Sequence, residues 1–238
     1  MNENIQRLRE LVAQSDNIVF FGGAGVSTES GIPDFRSVDG LYSQNYKYPP
    51  ETILSHSFFY SHPEEFYKFY RDKLVVDNVR PNRAHLRLAE LEAEGKLRAV
   101  ITQNIDGLHQ QAGSKNVLEL HGSTHRCLCA RCGAPHPASL INTGESLPRC
   151  SCGGMLRPDV VLYEEELSDD VLSSAVHFIR SADMLIVGGT SLVVYPAAGL
   201  LNYYKGNKLI LINRDATSHD NMAEIVIREK IGEVFAQI

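Results

Sequence analysis

The stretch FFGGAGVSTESGIPDFRS (residues 20–37) joins an apolar run to a glycine-rich turn. Gly23 and Gly25 supply the Gly-x-Gly start of a dinucleotide-binding fingerprint, in which glycines let the backbone turn tightly and approach a pyrophosphate. The place of the third glycine in that fingerprint is taken by Thr28. The stretch therefore predicts a nucleotide-binding loop after a buried strand, and this loop departs from the dinucleotide fingerprint at Thr28.

Further apolar runs predict a parallel sheet around this loop. Strands are expected at 17–21, 97–103, 183–189 and 208–213, and helical patterns lie at 4–14, 82–94, 168–180 and 196–204. Apolar runs that alternate with helices are typical of a doubly wound α/β fold. Ligands of such sheets bind beyond the carboxyl ends of the strands, so chemistry is expected there.

Two segments interrupt the alternation of strands and helices. Residues 40–80 are rich in aromatic residues and include the helical pattern PEEFYKFYRDKLVVD, whose apolar stripe is expected to face a core. The stripe consists of Phe66, Phe69, Tyr70 and Leu74. Residues 123–158 hold all five cysteines and show little apolar periodicity. We expect this second segment to need a metal in order to fold.

The cysteine spacing predicts a structural zinc site. Cys129-x-x-Cys132 is followed, after 17 residues, by Cys150-x-Cys152. Four thiolates complete a tetrahedral zinc and leave no position for a catalytic water. Cys127 could replace Cys129 as a ligand, but Cys-x-x-Cys is the better chelating spacing. The alternative, free thiols in a reduced protein, does not explain why every cysteine lies in one segment.

Composition argues against nucleic acid and membrane partners. The formal charge is −6 and the pI is about 5.8, and the sequence has no cluster of Lys and Arg that would follow a phosphate backbone. It also has no run of about 18 apolar residues, and its N-terminal residues form a polar amphipathic pattern. We therefore expect a cytoplasmic protein.

Polar residues follow the strand at 97–103. Gln103, Asn104 and Asp106 would be costly there unless a ligand or backbone groups satisfied them, and helix capping is the alternative role. His121 lies between a further strand and a Gly turn in VLELHGS. An isolated histidine is usually inert, so a catalytic role for these residues can be predicted only together with the neighbouring motifs.

Taken in order along residues 18–235, the motifs resemble the sirtuin family of NAD-dependent protein deacylases. They are GAGVSTESGIPDFRS, TQNIDGLHQQAG, LELHGS, the two cysteine pairs, PDVVLYEE, GGTSLVVYPAA and LIN. The resemblance implies a Rossmann-like domain (1–39, 81–122 and 159–238). It also implies a smaller lobe formed by a helical insertion (40–80) and a zinc ribbon (123–158). NAD and an acetylated lysine would meet between them.

The resemblance also assigns roles in NAD binding and cleavage. His121 would be the general base, and Asn104 would orient the ribose hydroxyls or a water. Phe35 would shield the reactive carbon. The residues implied to bind the cofactor are Ala24, Thr28, Phe35, Arg36, Gln103, Ile105, Asp106, His121, Thr190, Ser191, Asn213 and Ile231. The missing third glycine would reflect a longer segment that folds over the ribose. The loop would therefore hold NAD for cleavage, with acetyl transfer to ADP-ribose and release of nicotinamide.

The implied substrate is an acetylated protein or peptide bound as an added strand. Val160, Val161 and Val193 are the suggested contacts. Family members that prefer acidic acyl groups carry an Arg three residues after a Tyr of the insertion. Here Tyr67 is followed by Tyr70 at that spacing, while Arg71 is one residue further. Short neutral acyl groups are therefore expected. Mono-ADP-ribosyl transfer and a non-catalytic NAD sensor or zinc-ribbon adaptor are the alternative functions.

Overall fold

A six-stranded parallel sheet organises the part of the chain that the computed structural model describes, residues 3–35, 40–41, 46–76, 78–144 and 147–238. Its order is β3-β2-β1-β7-β8-β9. The strands of the chain are β1 (Ile18–Gly22), β2 (Leu97–Thr102), β3 (Val117–Glu119), β4 (Gly122–Cys129), β5 (Pro135–Pro137), β6 (Leu156–Val160), β7 (Met184–Gly188), β8 (Leu209–Ile212) and β9 (Ile225–Ile227). With β4–β6 set aside, this is the strand order of a Rossmann fold, as predicted.

Helices lie on both faces of this sheet and in the segments beside it. They are α1 (Glu3–Ala13), α2 (Pro50–Ile53), α3 (His56–Ser61), α4 (Pro63–Lys73), α5 (Arg83–Ala93), α6 (Leu108–Ala112), α7 (Ser139–Asn142), α8 (Asp169–Ser181) and α9 (Ile231–Phe235). None of those in the described ranges is long and apolar enough to cross a membrane. The predicted helix at 196–204 is a 3₁₀ helix, Ala197–Tyr203, because Gly199 disfavours a regular α-helix there.

Strand β1 shows why the sheet is buried on both sides. Ile18 and Phe20 point into a core shared with α1, α5 and α9, whereas Val19 and Phe21 point into a second core shared with α8. All four side chains are fully buried. Successive residues of a strand face opposite sides, so a continuous apolar run is the pattern expected of a central parallel strand.

A second, smaller sheet of three antiparallel strands, in the order β5-β4-β6, lies among the described residues. We call this sheet, together with α2, α3, α4 and α7, the small lobe; the parallel sheet with α1, α5, α6, α8 and α9 is the sheet region. The predicted stripe of α4 is buried as expected. Its aromatic rings share a core with Cys127, Ile141 and Leu156. The cysteine-rich segment therefore obtains much of its apolar core from the helical insertion.

Candidate active site

A cleft of about 680 Å³ lies beyond the carboxyl ends of β1, β2, β7 and β8, within the usual size range of ligand pockets. Most residues singled out from the sequence line it: Ala24, Thr28, Phe35, Gln103, Asn104, Ile105, Asp106, His121, Val160, Val161, Thr190, Ser191, Asn213 and Ile231. Val193 is not among the lining residues and is 56% exposed. Arg36 lies outside the described residues.

Glycines bring two loops of the sheet region into backbone contact at this cleft. The amide of Gly25 donates to the carbonyl of Gly189 at 2.8 Å. A Cβ on Gly25 would lie 2.8 Å from the Gly189 Cα, and one on Gly189, where φ is +59°, would lie 2.4 Å from the Val26 nitrogen. Only glycine fits both positions. The contact fixes the loop after β1 against the loop after β7, where the strand order reverses.

The geometry of the loop explains Thr28. After β1 the chain forms two 3₁₀ turns, Ala24–Val26 and Thr28–Ser30, and no α-helix begins among the described residues before Pro50. The third glycine of a dinucleotide fingerprint serves close packing of a helix on a strand, and that helix is missing from the described part of this loop. The Thr28 hydroxyl instead donates to the Gly25 carbonyl at 3.0 Å.

A buried serine connects two of the three polar residues predicted after β2, Asn104 and Asp106. The Ser27 hydroxyl donates to Asp106 Oδ2 at 2.6 Å and accepts from Asn104 Nδ2 at 3.0 Å. Asp106 Oδ1 also accepts from the Leu108 amide at 2.9 Å, so the alternative role, capping of α6, applies as well. Sequence reasoning missed Ser27. Its place directly after the Gly-x-Gly turn could have indicated it.

Gln103 links three walls of the cleft. Its side-chain amide donates to the Thr190 hydroxyl at 3.0 Å, and its carbonyl lies 3.0 Å from Nδ1 of His121. Thr190 follows β7 and His121 follows β3. The end of β2 therefore sets the position of the histidine relative to the glycine-rich loops.

The His121 imidazole is held in the form of a neutral base. Because a carbonyl can only accept, Nδ1 carries the proton and Nε2 keeps its lone pair. Burial lowers the pKa of His121, and the hydrogen bond to the Gln103 carbonyl offsets part of that shift. A lowered pKa keeps the ring uncharged to a lower pH than a free imidazole. At neutral pH the ring is therefore uncharged and its Nε2 can accept a proton.

The four predicted zinc ligands lie together in the small lobe. The sulfur atoms of Cys129, Cys132, Cys150 and Cys152 lie within 4.8 Å of one another. The pairs Cys129–Cys152 and Cys132–Cys150 are 3.5 and 3.8 Å apart. Tetrahedral zinc with Zn–S bonds of ~2.3 Å needs sulfurs about 3.8 Å apart, so the donor set fits one structural zinc ion.

Glycine and backbone amides complete this cysteine site. Gly154 donates its amide to Cys152 Sγ at 3.4 Å, and a Cβ on it would lie 2.7 Å from Cys129 Sγ. Cys127 lies apart from the cluster, 1% exposed in the core of the small lobe. The set of four ligands that the structure brings together therefore contains Cys129, and Cys127 is an apolar core residue.

Comparisons with known proteins agree with this geometry. The family model described as the Sir2 family matches residues 23–196. The chain belongs to the Sir2 family, the sirtuins. A curated NAD-dependent protein deacetylase of Clostridium acetobutylicum is 57% identical to this sirtuin over 240 residues, which cover 99% of this chain and 98% of the relative.

Solved Sir2 structures share the fold. One contains a deacetylated peptide and 3′-O-acetyl-ADP-ribose; it is 38% identical, with a TM-score of 0.89. Another contains a peptide and NAD⁺; it is 39% identical, with a TM-score of 0.87. Each comparison covers 98% of this chain and 96% of the other. The predicted family and the predicted Rossmann-like fold are therefore confirmed.

The cationic side chain that the insertion of this sirtuin places at the cleft is Lys73, not the Arg71 considered from the sequence. Arg71 donates through Nε to the Ile141 carbonyl at 2.7 Å, and its guanidinium lies over the ring of Tyr67. Tyr67 and Tyr70 are buried in the small lobe. Lys73, at the end of α4, lines the cleft, whereas Tyr67, Tyr70 and Arg71 do not. The sequence analysis missed Lys73 because it lies outside the Tyr-x-x-Arg spacing.

Proposed function

We propose that this chain is an NAD-dependent protein lysine deacetylase that moves the acetyl group of acetyl-lysine to ADP-ribose and releases nicotinamide. The observation that carries the proposal is the His121 imidazole, held through Nδ1 by the Gln103 carbonyl at the wall of a cleft beyond the ends of parallel strands. Family membership and the deacetylases among the relatives support the same reaction.

The glycine-rich loop and the strand ends would hold NAD. Backbone of the loop would approach the pyrophosphate, as the close contact of Gly25 with Gly189 leaves room for no side chain there. The proposed contacts for the phosphates and adenosine are Ala24, Thr28, Thr190, Ser191, Asn213 and Ile231. Those for the nicotinamide and its ribose are Phe35, Arg36, Gln103, Asn104, Ile105 and Asp106.

The chain's own residues would perform orientation and proton transfer. Bound NAD would supply an activated ribosyl carbon to the acetyl oxygen, with nicotinamide as the leaving group; the acetyl carbon would then pass to a ribose hydroxyl, and water would release the lysine amine. His121 would accept a proton at Nε2 from a ribose hydroxyl, because its Nδ1 is already committed to the Gln103 carbonyl. Asn104 is 8% exposed and fixed by Ser27, so its amide would meet the ribose hydroxyls or a water in one orientation.

The peptide would bind as an added strand across the cleft. Val160 and Val161 line the cleft, and the exposed Val193 directly precedes Val194 and Tyr195, which line it as well. Backbone hydrogen bonds would supply affinity with modest dependence on sequence. We also propose the division into a Rossmann-like domain (1–39, 81–122 and 159–238) and a small lobe (40–80 and 123–158). A structural zinc held by the four cysteines would stabilise the small lobe.

The experiment combines the protein, NAD and an acetyl-lysine peptide and measures nicotinamide and deacetylated peptide together. We expect equal amounts of both. His121→Ala should lower kcat by about 10²–10⁴-fold, the usual contribution of a general base. His177→Ala, an exposed histidine on α8, is the matched control and should leave kcat unchanged. Equal turnover by the wild type and His121→Ala would refute the assigned base.

A further inference from the structure

Glu165 forms the most strongly bonded carboxylate near the proposed peptide wall. Its Oε1 accepts from Arg157 Nη1 at 2.6 Å, and its Oε2 accepts from Arg157 Nη2 at 2.8 Å. Both side chains are less than a fifth exposed, at 16% for Arg157 and 18% for Glu165. Such a two-point, partly buried pair has a defined geometry, unlike an ion pair in bulk water.

The same carboxylate also holds the backbone of the wall. Oε2 accepts from the Leu162 amide at 2.9 Å, and Arg157 Nη2 donates to the Val160 carbonyl at 2.9 Å. The Val161 amide between them donates to the carbonyl of His121 at 3.0 Å. The pair therefore holds two residues of the wall, Val160 and Leu162, and Val161 between them is bonded to the backbone carbonyl of His121.

A third set of contacts connects this wall to the helical insertion. His56 Nδ1 lies 2.8 Å from Glu165 Oε1. The His56 amide donates to the Tyr163 carbonyl at 2.9 Å, and the Tyr163 amide donates to the Leu54 carbonyl at 2.9 Å. Tyr163 is thus paired with residues 54–56 of the insertion, and the wall is held both by the small sheet and by the insertion.

We propose that Glu165 is a positioning residue for the substrate: through Leu162 and Arg157 it holds residues 160–163, which line the cleft beside His121, in the arrangement against which a peptide strand would lie. The inference rests on the proposed deacetylase function. Burial alone would raise the pKa of Glu165, but Arg157, the Leu162 amide and His56 lower it to about 2. The carboxylate is therefore charged throughout the range in which the enzyme would be assayed.

The test is Glu165→Gln, with Glu166→Gln as the matched control, since Glu166 is the neighbouring exposed carboxylate outside the cleft lining. We expect Glu165→Gln to raise the KM for an acetyl-lysine peptide about tenfold, with kcat within about twofold and the KM for NAD unchanged. Glu166→Gln should match the wild type. A purely structural role would instead lower kcat and the folded fraction together.

The double variant Arg157→Gln/Glu165→Gln shows whether a raised peptide KM comes from loss of backbone positioning or from the unpaired charge of Arg157. If the effect arose only from the uncompensated Arg157 guanidinium, the double variant would regain the wild-type KM; that result would overturn the inference. We expect the KM to stay raised, because the Leu162 amide still lacks its charged acceptor. An unchanged peptide KM in Glu165→Gln would also overturn it.

A binding measurement keeps this test independent of catalysis. Anisotropy of a fluorescent acetyl-lysine peptide should report about tenfold weaker binding to Glu165→Gln than to Glu166→Gln. A wild type that binds the peptide without releasing nicotinamide would refute the proposed function and leave the positioning role measurable. Equal binding by the two variants would refute the positioning role alone.

Discussion

The sheet region and the small lobe are stabilised in different ways. The sheet region buries a continuous parallel sheet between two apolar cores, with Phe20 and Phe21 at 0% exposure on opposite faces of β1. The small lobe combines a three-stranded sheet, an aromatic cluster from α3 and α4, and four thiols within 4.8 Å. The first depends on hydrophobic burial, whereas the second also has a cysteine cluster that fits a structural zinc. The cleft lies between them, so loss of either should abolish activity by a different route.

Removal of the metal should give the largest difference in stability between the two regions. Cys129→Ser, or treatment with a strong chelator, should abolish peptide deacetylation, because metal binding and folding are coupled in a segment with little core of its own. Hydrogen exchange should increase in β4–β6 and change little in β1, β2 and β7. Cys127→Ser is the control and should retain one zinc per chain. A fully active protein measured to be metal-free would contradict this account.

Truncation of a large core side chain should test how the regions are connected. Phe20→Ala and Phe66→Ala each remove a fully buried ring, at a cost of about 3–5 kcal/mol in the free energy of unfolding. Only Phe66→Ala should speed the release of zinc to a colorimetric chelator, because Phe66 lies in the core that includes Cys129 and Cys150. Equal acceleration in both variants would mean that the two regions unfold as one unit.

Acid should destabilise the sheet region through two buried histidines. His85 and His109 pack with ring centroids 4.7 Å apart, and both nitrogens of His109 lack a hydrogen-bond partner within the described residues. Burial lowers the pKa of His85 to about 4 and that of His109 to about 3. Below pH ~6.5 the unfolded chain takes up these protons and the folded chain does not, so stability falls as the pH falls.

The expected slope is about 1.4 kcal/mol per pH unit for each histidine between pH ~6 and their folded-state pKa values. His109→Leu should reduce the slope of unfolding free energy against pH by that amount. Urea titrations between pH 7 and pH 5 would measure it. An unchanged slope in His109→Leu would show that the proton is taken up elsewhere.

The smallest predicted effect concerns Asn82, whose side chain is hydrogen-bonded to the backbone of the glycine-rich loop at Val26. Its Oδ1 caps α5 by accepting from the Ala84 amide at 3.0 Å, and its Nδ2 donates to the Val26 carbonyl at 2.7 Å. Asn82→Ala should cost about 1 kcal/mol, the usual value of an N-cap. Asn82→Asp keeps the cap and loses the donor, so it should raise the KM for NAD severalfold with little change in stability. Equal NAD kinetics in Asn82→Asp and the wild type would remove this role.

The two regions also differed in how well the sequence predicted them. The predicted strands at 17–21, 97–103, 183–189 and 208–213 all occur, since β-branched and aromatic runs buried on both faces give a strong pattern. The edge strand β9, of three residues, was missed because so short a run is not distinctive. The antiparallel strands β4–β6 were missed because their cores are completed by the insertion, a contact distant in sequence.

The candidate site shows the same limit at the level of side chains. Residues directly after strands, such as Asn104 and Asp106, were predicted from position alone and line the cleft. Ser27 was not predicted, because its partners Asn104 and Asp106 lie 77 and 79 residues away. Glu165 was not predicted either, because its contacts with Arg157, 8 residues away, and with His56, 109 residues away, form no recognisable sequence pattern. Val193 is suggested by its motif, but its side chain is exposed outside the cleft lining. Hydrogen-bond networks that join distant segments leave little trace in a single sequence.

The central claim is that the cleft joins acetyl-lysine to NAD in one group transfer, and product analysis tests it most directly. A peptide carrying a ¹³C-labelled acetyl group should give the label on ADP-ribose, with one nicotinamide and one free lysine per transfer, by mass spectrometry of quenched single turnovers. Label found only as free acetate at the earliest times, with NAD intact, would contradict the claim.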